Sequence, residues 1–245
     1  MPFRTTLIAT ALCALGVAPV WGEENASNPL AAVNNTDLRY QYFDLGNGAS
    51  TGDAFIDGAY MLRPDLKFKY ELHYLSTDST GTRQSDFSSV GLKLIKFFQP
   101  TSSGGWSRKP ALGLEWILDF GSPTTGTGSG SDQISPFGGF AFTHEATGLT
   151  LIPLAQHFVS YNGPTDINQT AVRLIALQSF GEGFWVKADL KVPYDWENDR
   201  WPATAEFQFG KHIGPGVSLY ADLLVGIGAD RPYDHGAGLG LRFRY

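Results

Sequence analysis

The stretch LKFKYELHY, residues 66–74, decides the fold class. Leu66, Phe68, Tyr70, Leu72 and Tyr74 fall on one parity, and Lys67, Lys69, Glu71 and His73 on the other. Successive side chains of a strand point to opposite faces, so the pattern predicts a β-strand with one apolar and one polar face. A slip of one residue would exchange the two sets, which fixes the register against the apolar phase.

The same alternation recurs outward along the chain. In 184–192, Phe184, Val186, Ala188, Leu190 and Val192 oppose Trp185, Lys187, Asp189 and Lys191. In 217–227, Val217, Leu219, Ala221, Leu223, Val225 and Ile227 oppose Ser218, Tyr220, Asp222, Leu224 and Gly226. Helical periodicity is hard to find after residue 36. Alternating segments of about ten residues, separated by Gly, Pro, Asn, Asp and Ser clusters, predict strands instead. They lie near 36–45, 53–63, 66–77, 85–98, 110–120, 133–144, 148–160, 168–179, 183–194, 202–211, 216–228 and 235–245. Segments 133–144 and 148–160 are the least regular, because Gly138 and Gly139 suggest a bend and Pro153 removes a ladder donor.

Twelve is an even number, as an up-and-down barrel with both ends of the chain on one side requires. The tight connectors RPDL, EATG, FGEG and IGPG alternate with the longer GNGAST, TDSTGTRQ, GSPTTGTGSGSD, SYNGPTDI and YDWENDRW. Short periplasmic turns and longer extracellular loops alternate in this way in transmembrane barrels. QPTSSGGWSRK, 99–109, breaks the rule by being long where a turn is expected. A mean hydropathy of −0.13 is compatible with such a barrel, whose lumen-facing polar residues offset the lipid-facing ones.

The two ends of the chain bear on compartment. Arg4, the apolar run LIATALCALGVAPV and the small residues Val20 and Gly22 ahead of Glu23 read as a cleaved secretory signal. The alternative, a membrane anchor, needs an apolar run of about 20 residues, which this one does not reach. Cys13 lies within the signal and follows Leu12, where a lipoprotein box wants a small residue. The exported chain is therefore expected to have no lipid anchor, no disulfide and no thiol catalyst. The expected organisation is a signal peptide over 1–22, a short periplasmic segment over 23–35 and a barrel over 36–245.

At the other end Leu239, Leu241 and Phe243 alternate with Gly240, Arg242 and Arg244, and the sequence closes on Tyr245. GLGLRFRY resembles the C-terminal signature of Gram-negative outer-membrane barrels, which implies recognition by the barrel-assembly machinery through Phe243 and Tyr245. A secreted β-sandwich would share the alternation. Strands longer than the usual five or six residues favour the all-β, antiparallel up-and-down transmembrane barrel. So do aromatics near strand ends (Tyr40, Tyr42, Tyr74, Phe120, Tyr194, Phe243, Tyr245), placed as a girdle against outer-membrane lipid.

Charge narrows the partners. The formal net charge is −6, and removing Arg4 with the signal leaves 17 basic against 24 acidic residues. With no basic run or stripe, nucleic acid is not an expected partner. The polar phase predicts a lumen lined by Arg39, Lys67, Lys69, Lys93, Arg173, Lys187, Lys191, Arg242 and Arg244 with Asp57, Glu71, Glu115, Asp119, Asp189, Glu206 and Asp222. Eight strands leave room for side chains alone and sixteen to eighteen leave a water channel, so twelve permit a small-solute pore without requiring one. Such charges can select solutes as rings in pores do. They can equally pair across strands and hold the wall together.

Catalytic signals are weak. His73, His144, His157, His212 and His235 form no two-histidine metal motif, and there is no nucleophile elbow or phosphate loop, so no metal or cofactor is expected. His157 and Ser160, near the outer end of one predicted strand, have an odd separation that puts them on opposite faces, away from the reach a catalytic pair needs. A lipid hydrolase would need a Ser or carboxylate beside His157 or His235. Trp196 and Trp201 could form a ligand-binding lip or anchor the rim in the interface.

NNTDLRYQYFDL, GAYMLRPDLKFKYELHYL, LGLEWILDFGS and WVKADLKVPYDWEN resemble segments of the outer-membrane proteins grouped with the meta-pathway phenol-degradation family, over about residues 34–245. The resemblance implies a transporter-like barrel passing small, aromatic or hydrophobic compounds. The expected function is a passive outer-membrane channel or facilitator. A lipid hydrolase and a structural or surface-binding barrel with a sealed lumen are the alternatives.

Overall fold

A computed structural model describes residues 25–245. The signal read over 1–22, with Cys13, lies outside the described residues. Thirteen strands follow in order: β1 Asn35–Gly46, β2 Ala49–Arg63, β3 Leu66–Thr77, β4 Gln84–Phe97, β5 Thr101–Ser103, β6 Trp106–Asp119, β7 Asp132–His144, β8 Thr150–Asn162, β9 Asn168–Phe180, β10 Phe184–Asp195, β11 Ala203–Gly214, β12 Val217–Ile227 and β13 His235–Arg244. Each long strand pairs antiparallel with its neighbours in sequence, and β1 pairs β13 to close the wall. The result is a closed barrel of twelve long staves, in which no long strand presents an unpaired edge.

The thirteenth strand explains the long connector 99–109. β5 folds back on the start of β6, pairing Thr101 with Arg108 and Ser103 with Trp106 across Gly104 and Gly105, both at positive φ. It extends one hairpin beyond the wall and adds no stave, since β4 pairs directly with β6. The expected long loop GNGAST is also corrected. β1 and β2 are joined by the two-residue turn Asn47–Gly48, with φ of 53° and 82°. Asn and Gly tolerate the left-handed conformation that such a tight hairpin demands.

The end of the barrel holding Asn35 and Arg244 carries the other short turns and is called the turn end; the opposite, loop end carries the connectors 78–83, 120–131, 163–167, 196–202 and 228–234. The apolar phase faces outward, leaving Leu219, Leu223 and Leu239 about half or more exposed, at 49%, 63% and 63%. Such a belt is costly in water and natural against lipid. The β7–β8 ladder, irregular by sequence, pairs Ile134 with Val159 and then resumes at Phe137 with Gln156. The break falls at Pro136, which has no N–H to donate.

The inner face at the turn end is packed with aromatics laid over glycines. A Cβ on Gly210 would lie 2.0 Å from the Trp185 ring, and one on Gly240 2.1 Å from the Tyr220 ring. Only glycine admits these rings flat against the neighbouring strand. Gly236, Gly238 and Gly240 are all buried on the inner face of β13, so that stave contributes backbone to the lumen along most of its length.

Candidate functional site in the lumen

The lumen has a floor built from the residues just ahead of β1. Residues 25–34, ahead of β1, pack inside the barrel at the turn end. Asn25 and Asn28 accept the N–H groups of Ser27 (2.9 Å) and Leu30 (2.8 Å), closing two local turns. Ser27 Oγ donates to Gln208 Oε1 at 2.8 Å and accepts from Arg242 Nη1 at 2.7 Å. Lys67 Nζ donates to the carbonyls of Pro29 (3.0 Å) and Ala31 (2.6 Å). Leu30, 1% exposed, fills an apolar socket of Ile95, Phe97, Ala111, Ala141, Ile152 and Ile175. This coil has no periodicity, so strand alternation carried no signal of it.

Above the floor the turn-end half holds a buried, hydrogen-bonded ion cluster. Arg242 reaches Asp37 with Nε at 2.9 and 2.8 Å and with Nη2 at 2.6 Å, and the Tyr220 hydroxyl donates to the same carboxylate at 2.7 Å. Their side chains are 8% and 1% exposed. Asp37 shares the parity of Arg39 on β1 and was legible on that ground, although the predicted lining omitted it.

Higher up, an ion network runs around the wall. Arg39 sits among Asp222 (2.8 Å), Glu206 (3.8 Å) and Asp57 (3.9 Å). Gln208 and Gln41 donate to Asp222 as well, at 2.9 and 3.2 Å. Lys187 contacts Glu206 at 2.6 Å. Arg173 grips Asp189 through Nε at 2.7 Å and through Nη2. Lys93 bridges Glu71 (2.8 Å) and Glu115 (3.1 Å), and Lys69 lies 3.7 Å from Glu71. Charge-assisted pairs of this kind rigidify a wall when every member is satisfied.

Between these charges lies a cavity of about 410 Å³. Ser27, Pro29 and Leu30 bound it on the floor side, and Phe158, Lys191, Thr204 and Tyr233 line it further toward the loop end. Its lining includes twelve of the sixteen charged residues predicted by parity: Arg39, Lys69, Lys93, Arg173, Lys187, Lys191, Arg242, Asp57, Glu71, Glu115, Asp189 and Glu206. Phe55, Phe137, Leu154 and Ile175 give it an apolar side. His73 also lines it, with Nδ1 2.8 Å from Asp53 Oδ2 and its ring stacked on Phe55.

The remaining four predicted positions do other things. Asp222 is buried behind Arg39, and Lys67 holds the floor. Asp119 accepts the N–H groups of Ser129 (3.2 Å) and Gly130 (2.7 Å) and braces the loop 120–131. Arg244 lies at the turn end, where its N–H donates to the Gly216 carbonyl at 2.7 Å. At the loop end the Ser50 N–H and then Arg83 hold the Asp78 carboxyl below its usual range.

Histidine geometry bears on catalysis. Ser160 Oγ accepts the Ile167 N–H at 3.0 Å, whereas His157 Nδ1 lies 3.0 Å from Thr170 Oγ1. Trp196 Nε1 also donates to that hydroxyl, at 2.9 Å. The tryptophans pack on Tyr194, with centroids 4.5 Å away for Trp196 and 4.7 Å for Trp201. No group of three or more metal-ligating side chains converges among the described residues.

No family model matches the chain, and no curated protein matches it. Solved structures do. The COG4313 outer membrane channel from Pseudomonas putida F1 superposes with a TM-score of 0.65 at 8% identity, covering 94% of this chain and all of that one. The NanC porin gives 0.57 at 9% identity, with 86% and 98% covered. Outer membrane phospholipase A from Escherichia coli gives 0.51 at 14% identity, with 86% and 92% covered. At these identities the likeness is one of architecture, and it agrees with the closure and register above: this chain has the twelve-stave barrel fold of outer-membrane proteins.

Proposed function

We propose that the protein is an outer-membrane channel or facilitator for small solutes, seated with its turn end in the periplasm and floored there by residues 25–34. The observation that carries this reading is the charge-lined cavity of about 410 Å³ inside a closed wall whose outer face is apolar. A purely structural barrel gains nothing from such a cavity, since packed side chains stabilise a core more than solvent-accessible space does. The apolar side of the lining suits small aromatic or hydrophobic solutes. Export by a signal peptide ending near Gly22, and assembly through the outward-facing Phe243 and Tyr245, complete the proposal.

Lipid hydrolysis has less support. The hydroxyl beside His157 belongs to Thr170, is shared with the Trp196 N–H, and has no third group orienting the histidine among the described contacts.

Single-channel recording in planar bilayers tests the channel. The native protein is expected to conduct rarely and weakly. Leu30→Asp, which places a charge in the apolar socket and expels the floor, is expected to conduct in long, larger openings. Stable insertion of both proteins with no conductance to small ions would sink the proposal.

A further inference from the structure

The cations of the lumen are not alike. Arg39, Lys93, Arg173, Lys187 and Arg242 each hold a carboxylate at 2.8 Å or less. Among the described residues, Lys191 has no carboxylate within ion-pair distance, yet it lines the cavity. Arg173, Glu115, Lys93 and Asp189 line the same cavity and act on it electrostatically. Both anions in that set are engaged: Asp189 by Arg173, and Glu115 by Lys93 and by Gln156 Nε2 at 2.6 Å. Register places Lys191 directly opposite Arg173 on β9. Like charges opposite each other destabilise a sheet, so Lys191 contributes nothing evident to the wall.

The surroundings of this ammonium are apolar on one side. Its Nζ lies 5.2 Å from the centroid of the Phe158 ring. Leu154 and Ile175 line the same cavity, as does Phe137. An uncompensated cation beside an aromatic and aliphatic wall fits an anion with an apolar body. The engaged carboxylates Glu115 and Asp189 stand close by and would repel a second negative charge.

We propose that Lys191 and the Phe158 wall form a binding site inside the lumen for small aromatic monocarboxylates. The carboxylate accepts a charge-assisted hydrogen bond from the ammonium while the ring lies along the apolar side. Selection is threefold: neutral aromatics lack the charge, short aliphatic acids lack the body, and aromatic dicarboxylates meet the acidic pair. This site deepens the channel reading and rests on the lumen being the solute path.

Equilibrium dialysis of radiolabelled benzoate against the protein extracted in detergent tests it, with unlabelled benzyl alcohol and phthalate as competitors. Saturable binding is expected, with benzoate competing well and the other two poorly. Lys191→Gln keeps the stem without the charge and is expected to weaken binding about ten- to a hundredfold. Lys191→Arg is expected to retain it within about threefold, as another cation on a long stem. Equal binding by Lys191→Gln, or no saturable binding by the native protein, overturns the site. Bilayer conductance without benzoate binding would sink the site and leave the channel standing. Lysine-dependent binding in a protein that never conducts would sink the channel and leave the site.

Discussion

The two halves of the lumen are built from the same alphabet of charged side chains and put to opposite uses. At the turn end Arg242, Asp37 and Tyr220 form a buried cluster on the floor side of the cavity, capped by residues 25–34. Toward the loop end Arg39, Lys93 and Arg173 pair just as closely, but their pairs face an open cavity. The difference lies in what fills the space between staves. At the turn end Trp185 and Tyr220 are laid over glycines and buried, whereas Phe55, Phe158 and Tyr233 line the cavity. A charged pair sealed from water is a structural lock, and one that borders water can also meet a solute.

The contrast makes the Asp37→Ala variant the most damaging one expected. Removing the carboxylate strands a buried guanidinium and should cost about 3–5 kcal/mol, read as a lowered midpoint of urea unfolding in micelles. Lys93→Met, whose two carboxylate partners line the cavity and can be reached there by water, should cost about 1 kcal/mol. Equal losses for the two would erase the distinction between the buried cluster and the cavity wall.

Gly240→Ala is expected to fall between them, at about 1–3 kcal/mol, because its Cβ would collide with the Tyr220 ring. A neutral result by the same urea assay would mean that the ring can swing aside, and that the turn-end packing is looser than its geometry implies.

The smallest effect sharpens the comparison at the rim. Asp78 has its carboxyl held low by the Ser50 N–H and Arg83, so its contribution is present at neutral pH and is lost as pH falls through its folded-state value, below 3.8. Asp78→Asn should therefore lower the unfolding midpoint slightly at neutral pH and leave it unchanged in strong acid. A larger deficit in acid than at neutral pH would reverse the assigned sign.

Strict alternation made the wall legible. β3 was read at its observed limits, and β10 and β12 to within a residue, because lipid and lumen impose a clean period of two. The same parity placed the charges of the cavity. What alternation could not reveal was structure without a period. The coil 25–34 is held by carbonyls, Asx turns and one leucine, none of which repeats. The β5 hairpin hid inside a glycine-bearing connector, and the Asn47–Gly48 turn looked like part of a longer loop because strand β2 begins in small, polar residues. Nor did parity distinguish Lys191 from its fellow cations. Only the distances show which of them lacks a carboxylate.

The glycine-bearing stave has a consequence for how the barrel is made. The seam between β1 and β13 pairs residues as far apart in sequence as Asn35 and Arg244, so its formation carries a large loop-closure cost. Gly236, Gly238 and Gly240 give β13 an inner face of bare backbone along most of its length. The two edges can then meet without forcing bulky groups past a lumen already filled from the other side. Arg242, the charged group beyond those glycines, arrives at Asp37 to latch a ring that has shut like a zip.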